Sequence, residues 1–114
     1  MELNNVYMKY QEITLESGGE VYFPMTIAEK FVEDCTRISC AVIGIDFFHI
    51  RDQKYIEPTS PINSFDASDF LKEIGPWEGI VLLCNESASK ILDIEKRRDP
   101  TQWCNFVILD KNKL

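Results

Sequence analysis

Residues 41–50 constrain the possible folds more than any other stretch of this chain. The segment reads AVIGIDFFHI, is rich in Val, Ile and Phe, and is bounded by polar residues. A short apolar run of this composition is typical of a buried strand. Because alternate side chains point to opposite faces and both sets are mostly apolar, the run predicts a central strand that is covered on both faces.

Asp46 is the exception in this run, because it is the only charged residue there. Burying a carboxylate costs free energy unless the group is hydrogen-bonded or paired. Two interpretations are therefore open. Asp46 is either a structural carboxylate that accepts backbone N–H bonds or part of a surface that contacts a partner.

Two amphipathic helices are predicted, one before and one after this strand. Residues 26–38 carry apolar side chains at helical spacing, and Thr26 and Glu29 match a capping box at the start. Residues 77–97 repeat this spacing and end in a basic cluster that suits a helix C-terminus. A strand followed by a shorter helix is the competing interpretation of the second segment.

The other segments complete a small antiparallel sheet. A polar turn after residue 50 makes residues 41–57 a predicted hairpin. Residues 103–109 predict a last strand that is again apolar on both faces. Residues 1–24 fit either a hairpin or a loosely packed arm, because a Ser-Gly-Gly turn separates two short β-favouring pieces.

Residues 58–65 are a predicted surface loop, since two prolines interrupt any strand there. A short helix follows in the prediction, with Asp66 as its cap and Asp69 at the capping-box position. Loops on a rigid scaffold often carry binding residues, so this loop is a candidate for recognition.

One domain accounts for the whole chain, because 114 residues support a single core of helices on a small sheet. The predicted fold class is α+β. Residues 1–114 form one domain with a small antiparallel sheet centred on residues 41–50. The two main helices, residues 26–38 and 77–97, pack on this sheet.

The net charge of the chain is −7, with 19 acidic residues against 12 Lys and Arg. Direct nucleic-acid binding needs clustered basic side chains, so we expect no nucleic-acid partner. An acidic protein is suited to the electrostatic steering of a basic protein partner. A soluble acidic protein without such a partner is the simplest alternative.

No segment predicts a secretory signal or a membrane span. The N-terminal MELNNVYMKY lacks a cationic stretch followed by an apolar core, and no apolar run approaches the ~20 residues that cross a bilayer. Cys35, Cys40, Cys84 and Cys104 lie in apolar surroundings without C-x-x-C spacing, which indicates reduced core residues. We therefore expect a cytoplasmic protein that does not contact the membrane.

No sequence motif for catalysis, cofactor binding or metal binding is present. There is no glycine-rich phosphate loop, G-x-S-x-G elbow or H-E-x-x-H helix, and His49 is the only histidine. Asp46 and His49 point to opposite faces of one strand, so they suit a dyad poorly. We expect no enzyme activity, no cofactor and no metal. The alternatives are a small enzyme or ligand-binding domain with a pocket near Asp46 and His49, and a structural subunit that self-associates through an edge strand.

Carboxylates alternate with aromatic residues from the predicted hairpin to the start of the second helix. Aromatic anchors ringed by carboxylates suit the binding of a cationic protein. A solvated acidic face with core aromatics is the competing interpretation. The predicted partner-binding residues are Asp46, Glu57, Phe65, Asp66, Asp69, Trp77 and Glu78.

Three short motifs carry a resemblance to a known family. The first is a strand with the pattern apolar-Gly-x-Asp-aromatic, at Gly44, Asp46 and Phe47. The second is a loop with Pro, Thr and an aromatic residue, at Pro58, Thr59 and Phe65. The third is a helix that begins with Trp-Glu, at Trp77 and Glu78. In this order they resemble the small bacterial immunity proteins of polymorphic-toxin and contact-dependent growth inhibition systems. Within that class, the motifs are most similar to the immunity protein forty family. The resemblance spans residues 26–109.

This resemblance implies function by binding rather than by catalysis. Such a protein would bind the C-terminal domain of a cognate toxin and neutralise it. The net charge of −7 favours a basic toxin, such as a nuclease, whose active site is occluded by an acidic surface. We expect the protein to be a monomer or a weak dimer.

Overall fold

The computed structural model describes residues 2–73 and 75–111 of the chain. Its helices are α1 (Leu3–Lys9), α2 (Met25–Arg37) and α3 (Trp77–Arg98), with a 3-10 helix at Ser68–Lys72. Its strands are β1 (Leu15–Ser17), β2 (Glu20–Pro24), β3 (Cys40–Arg51), β4 (Tyr55–Pro58), β5 (Ser64–Asp66) and β6 (Trp103–Asp110). Within the described ranges, no helix is long and apolar enough to cross a membrane.

β3 is the central strand of one antiparallel sheet. The strand order is β1-β2-β6-β3-β4, and β5 also pairs with β3. β3 pairs with β6 along one edge and with β4 and β5 along the other. These pairings confirm the predicted α+β fold, in which an antiparallel sheet is centred on residues 41–50. They also confirm the hairpin predicted for residues 41–57.

The main core lies between the sheet and the two long helices, which pack on the same face. β3 contributes Ile45 and Phe47, each only 1% exposed. The ring of Phe31, from α2, lies 4.4 Å from that of Phe23 and 4.9 Å from that of Phe106, measured between centroids. Full burial of each such side chain contributes ~1.5–3 kcal/mol.

A β-bulge in β3 determines which of its side chains reach this core. The register with β6 shifts between Val42 and Gly44, so Ile43 is the extra residue. As a result, Val42 and Ile45 enter the same core, although simple alternation puts them on opposite faces. The bulge explains why Val42 is a core residue although simple alternation groups it with the exposed Asp46.

The other face of the sheet is largely uncovered. Asp46 is exposed on this face, and Val107 is 52% exposed. The prediction that residues 41–50 are covered on both faces is therefore wrong for most of their length, whereas the strand predicted for residues 103–109 is confirmed as β6. The physical reason is that α2 and α3 lie side by side on one face, so the described helices do not form a second layer.

Asn85 of α3 joins the helix layer to an edge of β3 that has no neighbouring strand. β5 pairs with β3 only from Gly44 onward. Before that point, Asn85 Oδ1 accepts a hydrogen bond from the Val42 N–H at 2.7 Å, and Asn85 Nδ2 donates to the Cys40 carbonyl at 3.0 Å. Nδ2 also donates to Thr36 Oγ1 of α2 at 2.8 Å. One side chain, 2% exposed, thus connects α2, α3 and β3.

A smaller core lies at this end of β3, under the first turns of α3. Trp77 and Cys84 pack there against Ala41. The Trp77 indole N–H donates to the Ser39 carbonyl at 2.7 Å. Ser39 has a φ of 58°, a left-handed conformation that ends α2 and directs the chain into β3. The single helix predicted for residues 77–97 is confirmed, and these contacts position its start.

The start of α2 differs from its sequence prediction, although the helix itself is confirmed. α2 begins at Met25 after Pro24, and no side chain caps it, so the capping box at Thr26 and Glu29 is wrong. The reason is that β2 runs directly into α2. Pairing of Pro24 with Trp103 in the sheet therefore fixes where the helix begins.

The N-terminal segment contains more structure than the sequence indicates. The hairpin alternative is confirmed by β1 and β2, whose turn contains Gly18 and Gly19 at positive φ. The preceding α1 is not predicted, because it is a short helix in which only Val6 is fully buried. After β5, Asp66 accepts the Ser68 N–H at 2.8 Å, but the predicted short helix is a 3-10 helix that Asp66 does not cap.

Replacing Asn85 with alanine should destabilise the fold by about 2–4 kcal/mol. The variant leaves the Val42 N–H and the Cys40 carbonyl without this partner, and each such buried group costs about 1–3 kcal/mol. Urea unfolding followed by circular dichroism measures the change. Asn105→Ala is the control, because the Asn105 side chain makes only a long contact, 3.4 Å, to Glu20. Equal losses in both variants would contradict the role of Asn85.

Candidate functional site

The candidate functional site is the side of the sheet opposite α2 and α3, called the open face below. Strand pairing places neighbouring side chains of β2, β6, β3 and β5 on it. It has an aromatic end, an acidic row and a flat apolar patch. Its residues include Glu20, Tyr22, Gly44, Asp46, Phe48, Ser64, Asp66, Trp103, Asn105 and Val107.

Three aromatic side chains form one end of the open face. Phe48 and Trp103 are paired across β3 and β6, and the rings of Tyr22 and Phe48 meet edge to face with centroids 5.0 Å apart. Burial raises the pKa of the Tyr22 phenol, so this group is neutral at physiological pH. A packed aromatic row of this kind offers contact area at a low cost in conformational entropy.

Three carboxylates lie on the open face beside this row. Asp46 and Asp66 are exposed on the paired strands β3 and β5, and Glu20 is exposed at the start of β2. Hydrogen bonds from Ser68 lower the pKa of Asp66, so it is ionised at neutral pH. The described strand positions on this face include no Lys or Arg. The open face therefore has a negative potential.

Gly44 and Val107 form the flat part of the open face, where they are paired across β3 and β6. A Cβ atom at position 44 would lie 3.3 Å from the Val107 side chain, so glycine lets the valine pack close to the strand. Small molecules bind in concave sites, whereas a flat apolar patch suits a protein surface.

The structure brings together two of the predicted partner-binding residues, Asp46 and Asp66, on the open face. Glu57 points to the other face of the sheet and forms an ion pair within the β3–β4 hairpin. Asp69 and Glu78 are exposed on the 3-10 helix and on the first turn of α3, outside the sheet. The predicted carboxylates therefore do not form one surface.

The two predicted aromatic anchors, Phe65 and Trp77, pack in the core. Phe65 pairs with Ile45 on the helix-facing side and contacts both core clusters. Trp77 is 8% exposed. The sequence does not predict that Phe48 and Trp103 belong to the site, because they are brought together by the pairing of two strands that are distant in the chain. Alternation within β6 is the signal that could have indicated Trp103.

Asp46 and His49 do not form a dyad. Asp46 is exposed on the open face and makes no side-chain hydrogen bond to a described residue, which favours the surface interpretation. His49 is paired with Glu57 on the helix-facing side, and its Nε2 lies 2.9 Å from Asp99 Oδ2. Hydrogen bonds from Thr101 and then from His49 lower the pKa of Asp99 to about 2. His49 thus connects β3 to the end of α3. The alternative function, which needs a pocket shared by Asp46 and His49, has no geometric support.

The buried carboxylate of α2, Asp34, has a structural environment. It accepts hydrogen bonds from Tyr10 and Lys9 of the N-terminal segment and pairs with Arg37. Burial alone would raise the pKa of Asp34, but these hydrogen bonds and charges outweigh it and lower that pKa. The hydrogen bonds of Asp34 therefore connect the N-terminal segment to α2.

The surroundings of the thiols disfavour their reactivity, and the described residues form no metal-binding cluster. All four cysteines are free and buried, as the sequence predicts for core residues. Burial raises the pKa of each thiol, which disfavours the reactive thiolate. Within residues 2–73 and 75–111, no group of three or more His, Cys, Asp or Glu is placed to hold a metal ion.

No protein-family model, curated protein or solved structure matches this chain. The geometry of the open face and the motifs that resemble the immunity proteins are therefore the two observations that bear on function.

Replacing Asp34 with asparagine should lower the stability at neutral pH by about 1–3 kcal/mol. The pKa of Asp34 is lowered on folding, so its stabilisation is present above the ordinary aspartate pKa and is lost as the pH falls through the folded-state value. The difference between wild type and variant should therefore shrink in acid. Urea unfolding from neutral pH down to the acid range measures this trend.

Asp69→Asn is the matched control for this prediction. The Asp69 side chain is 92% exposed and pairs only with Lys72, so its loss should have little effect at any pH. A stability difference between wild type and Asp34→Asn that does not change with pH would contradict the assignment.

Proposed function

We propose that this protein is an immunity protein that binds the C-terminal domain of a cognate toxin and neutralises it. The observation that carries the proposal is the open face, where an aromatic row lies beside three carboxylates and the described strand positions carry no basic side chain. The sequence resemblance to bacterial immunity proteins indicates the class of partner. The proposed protein acts in the cytoplasm, without enzymatic activity and without a cofactor or metal.

The aromatic end of the open face is the proposed anchor of the interface. Residues that dominate binding energy are enriched in Trp and Tyr and lie where a partner excludes water. Trp103 and Phe48 are only partly buried, so a partner would complete their burial. The ring of Tyr22 packs edge to face against that of Phe48 and helps to hold it in place.

The three carboxylates of the open face determine the sign of the charge that the proposed partner carries. Glu20, Asp46 and Asp66 face solvent on one side of the sheet, so a basic surface is attracted to that side. Complementary charge raises the association rate and the specificity more than it raises the affinity. The binding should therefore weaken as the salt concentration rises, because salt screens exposed charges.

A basic nuclease is the toxin class that this surface suits best. Nucleases hold the phosphates of their substrate with Lys and Arg side chains. The carboxylates of the open face would compete with the substrate phosphates for these Lys and Arg side chains. The flat patch around Gly44 and Val107 would cover the neighbouring surface of the nuclease. The proposed inhibition is occlusion of the active site, and it needs no chemical step from this protein.

Self-association through an edge strand receives less support. β1 has three residues and β4 has four, and β4 ends in Pro58. Short edges and proline are features that oppose edge-to-edge pairing. We therefore propose that the protein binds its toxin as a monomer or a weak dimer.

The test uses the C-terminal domain of the protein that is encoded immediately upstream, and the proposal requires this domain to be a toxin. Calorimetry at low and at moderate salt should show one-to-one binding that is tighter at low salt, and an activity assay should show loss of toxicity. The double variant Asp46→Lys and Asp66→Lys should weaken the binding at least ~10-fold, because a like charge facing a basic partner costs several kcal/mol. Trp103→Ala should increase the dissociation rate.

The control is the double variant Glu57→Lys and Asp69→Lys, which makes the same change in net charge away from the open face. It should bind within about threefold of the wild type, since distant exposed charges are screened. Equal losses in the two double variants would show that only net charge matters and would reject the open face as the interface. If the toxin domain does not bind at all, the immunity function itself is wrong.

A further inference from the structure

A groove lies between α1 and the β1–β2 hairpin, on the helix-facing side of the sheet. Two adjoining hollows of about 360 Å³ and 480 Å³ form it. Both are lined by Tyr7, Met8, Glu16 and Val21, so they make one continuous groove. None of these residues belongs to the open face.

The floor of this groove is apolar and held in place by the core. The Tyr7 ring lies 5.0 Å from the ring of Phe31 and 5.9 Å from that of Phe23, measured between centroids. Phe106 of β6 extends the floor toward the sheet. Met8, at the side of the groove, is 64% exposed although it is a large apolar residue. The groove thus presents apolar surface that the chain itself does not cover.

Glu16 and Glu20 both line the groove and are exposed. Glu16 pairs with Val21 and shares its side of the hairpin, whereas Glu20 lies at the rim between the groove and the open face. Neither forms an ion pair with a described residue. The one cation of α1, Lys9, instead bonds to Asp34 at 3.0 Å. Glu20 makes a long contact, 3.4 Å, to the neutral amide of Asn105. The groove therefore carries negative charge that no cation balances within the described structure.

We infer that this groove receives an arginine side chain of the basic partner. The apolar floor matches the aliphatic stem of an arginine, and the two carboxylates match its charge. A planar guanidinium can stack on an aromatic ring and make paired hydrogen bonds to carboxylates, whereas a lysine ammonium is a compact and strongly hydrated charge. An apolar side chain would bury the floor and leave the carboxylates unbalanced.

The groove adjoins the open face at Glu20. This residue lines the groove, and its carboxylate contacts Asn105, which lies on the open face. A partner on the open face can therefore extend a basic side chain past the hairpin into the groove. The inference rests on the proposed function for the identity of the partner, whereas the arginine site follows from the groove alone.

The experiment titrates the ¹⁵N-labelled protein with a short capped peptide of alternating arginine and leucine. A second peptide carries citrulline in place of arginine, which keeps the shape and removes the charge. We expect chemical-shift changes at the amides of Tyr7, Glu16, Gly19 and Val21 with the arginine peptide. The citrulline peptide should bind about 3- to 10-fold more weakly, the range for an exposed ion pair with a cation–π contact.

The variant that tests the site is Glu16→Gln with Glu20→Gln, and its matched control is Glu57→Gln with Glu78→Gln. Both change the net charge equally, and all four positions are exposed, so both should fold. Only the first double variant should weaken the binding of the arginine peptide. The loss in affinity should equal that caused by replacing arginine with citrulline in the peptide. Equal weakening in both variants, or shifts that lie outside the groove, would overturn the inference.

The two proposals fail separately. If the toxin domain binds Glu16→Gln as tightly as wild type and the arginine peptide produces no groove shifts, the groove inference is wrong. The open face is then unaffected, because Glu16 does not lie on it. If the peptide titrates the groove but the toxin domain does not bind the wild-type protein, the arginine site remains and the proposed immunity function is wrong.

Discussion

The hydrogen bonds of Asn85 are the interaction on which the arrangement of this protein depends. An amide side chain bonds an N–H and a carbonyl of β3 where no neighbouring strand reaches them, and it also bonds α2 through Thr36. Backbone groups buried without partners would cost the fold several kcal/mol. By satisfying them, α3 closes this edge of β3 and is held beside α2 on a single face of the sheet.

The one-sided helix layer has a direct consequence for function. The described helices cover one face of the sheet, and the bulge at Ile43 lets Val42, Ile45 and Phe47 all point toward that face. The opposite face is left with partly buried aromatics and exposed carboxylates. The core and the candidate binding surface are therefore two sides of the same strands.

The ionisable groups separate into two kinds according to their surroundings. Asp34 and Asp99 lie within hydrogen-bond networks that lower their pKa and connect secondary-structure elements. Asp46, in contrast, faces solvent on the open face. Charges that act structurally are bonded within the fold, whereas the charges proposed to act on a partner are unbalanced at its surface.

The sequence by itself determined the α+β class, the two long helices and the hairpin built on residues 41–57, because periodic apolar spacing and turn residues are local signals. It also indicated an acidic surface that includes Asp46 and Asp66. The tertiary structure alone decided that Phe65 and Trp77 are core and that Phe48 meets Trp103. A one-residue bulge reverses the faces of a strand, and no local pattern specifies which distant strands pair, so these assignments required the assembled sheet.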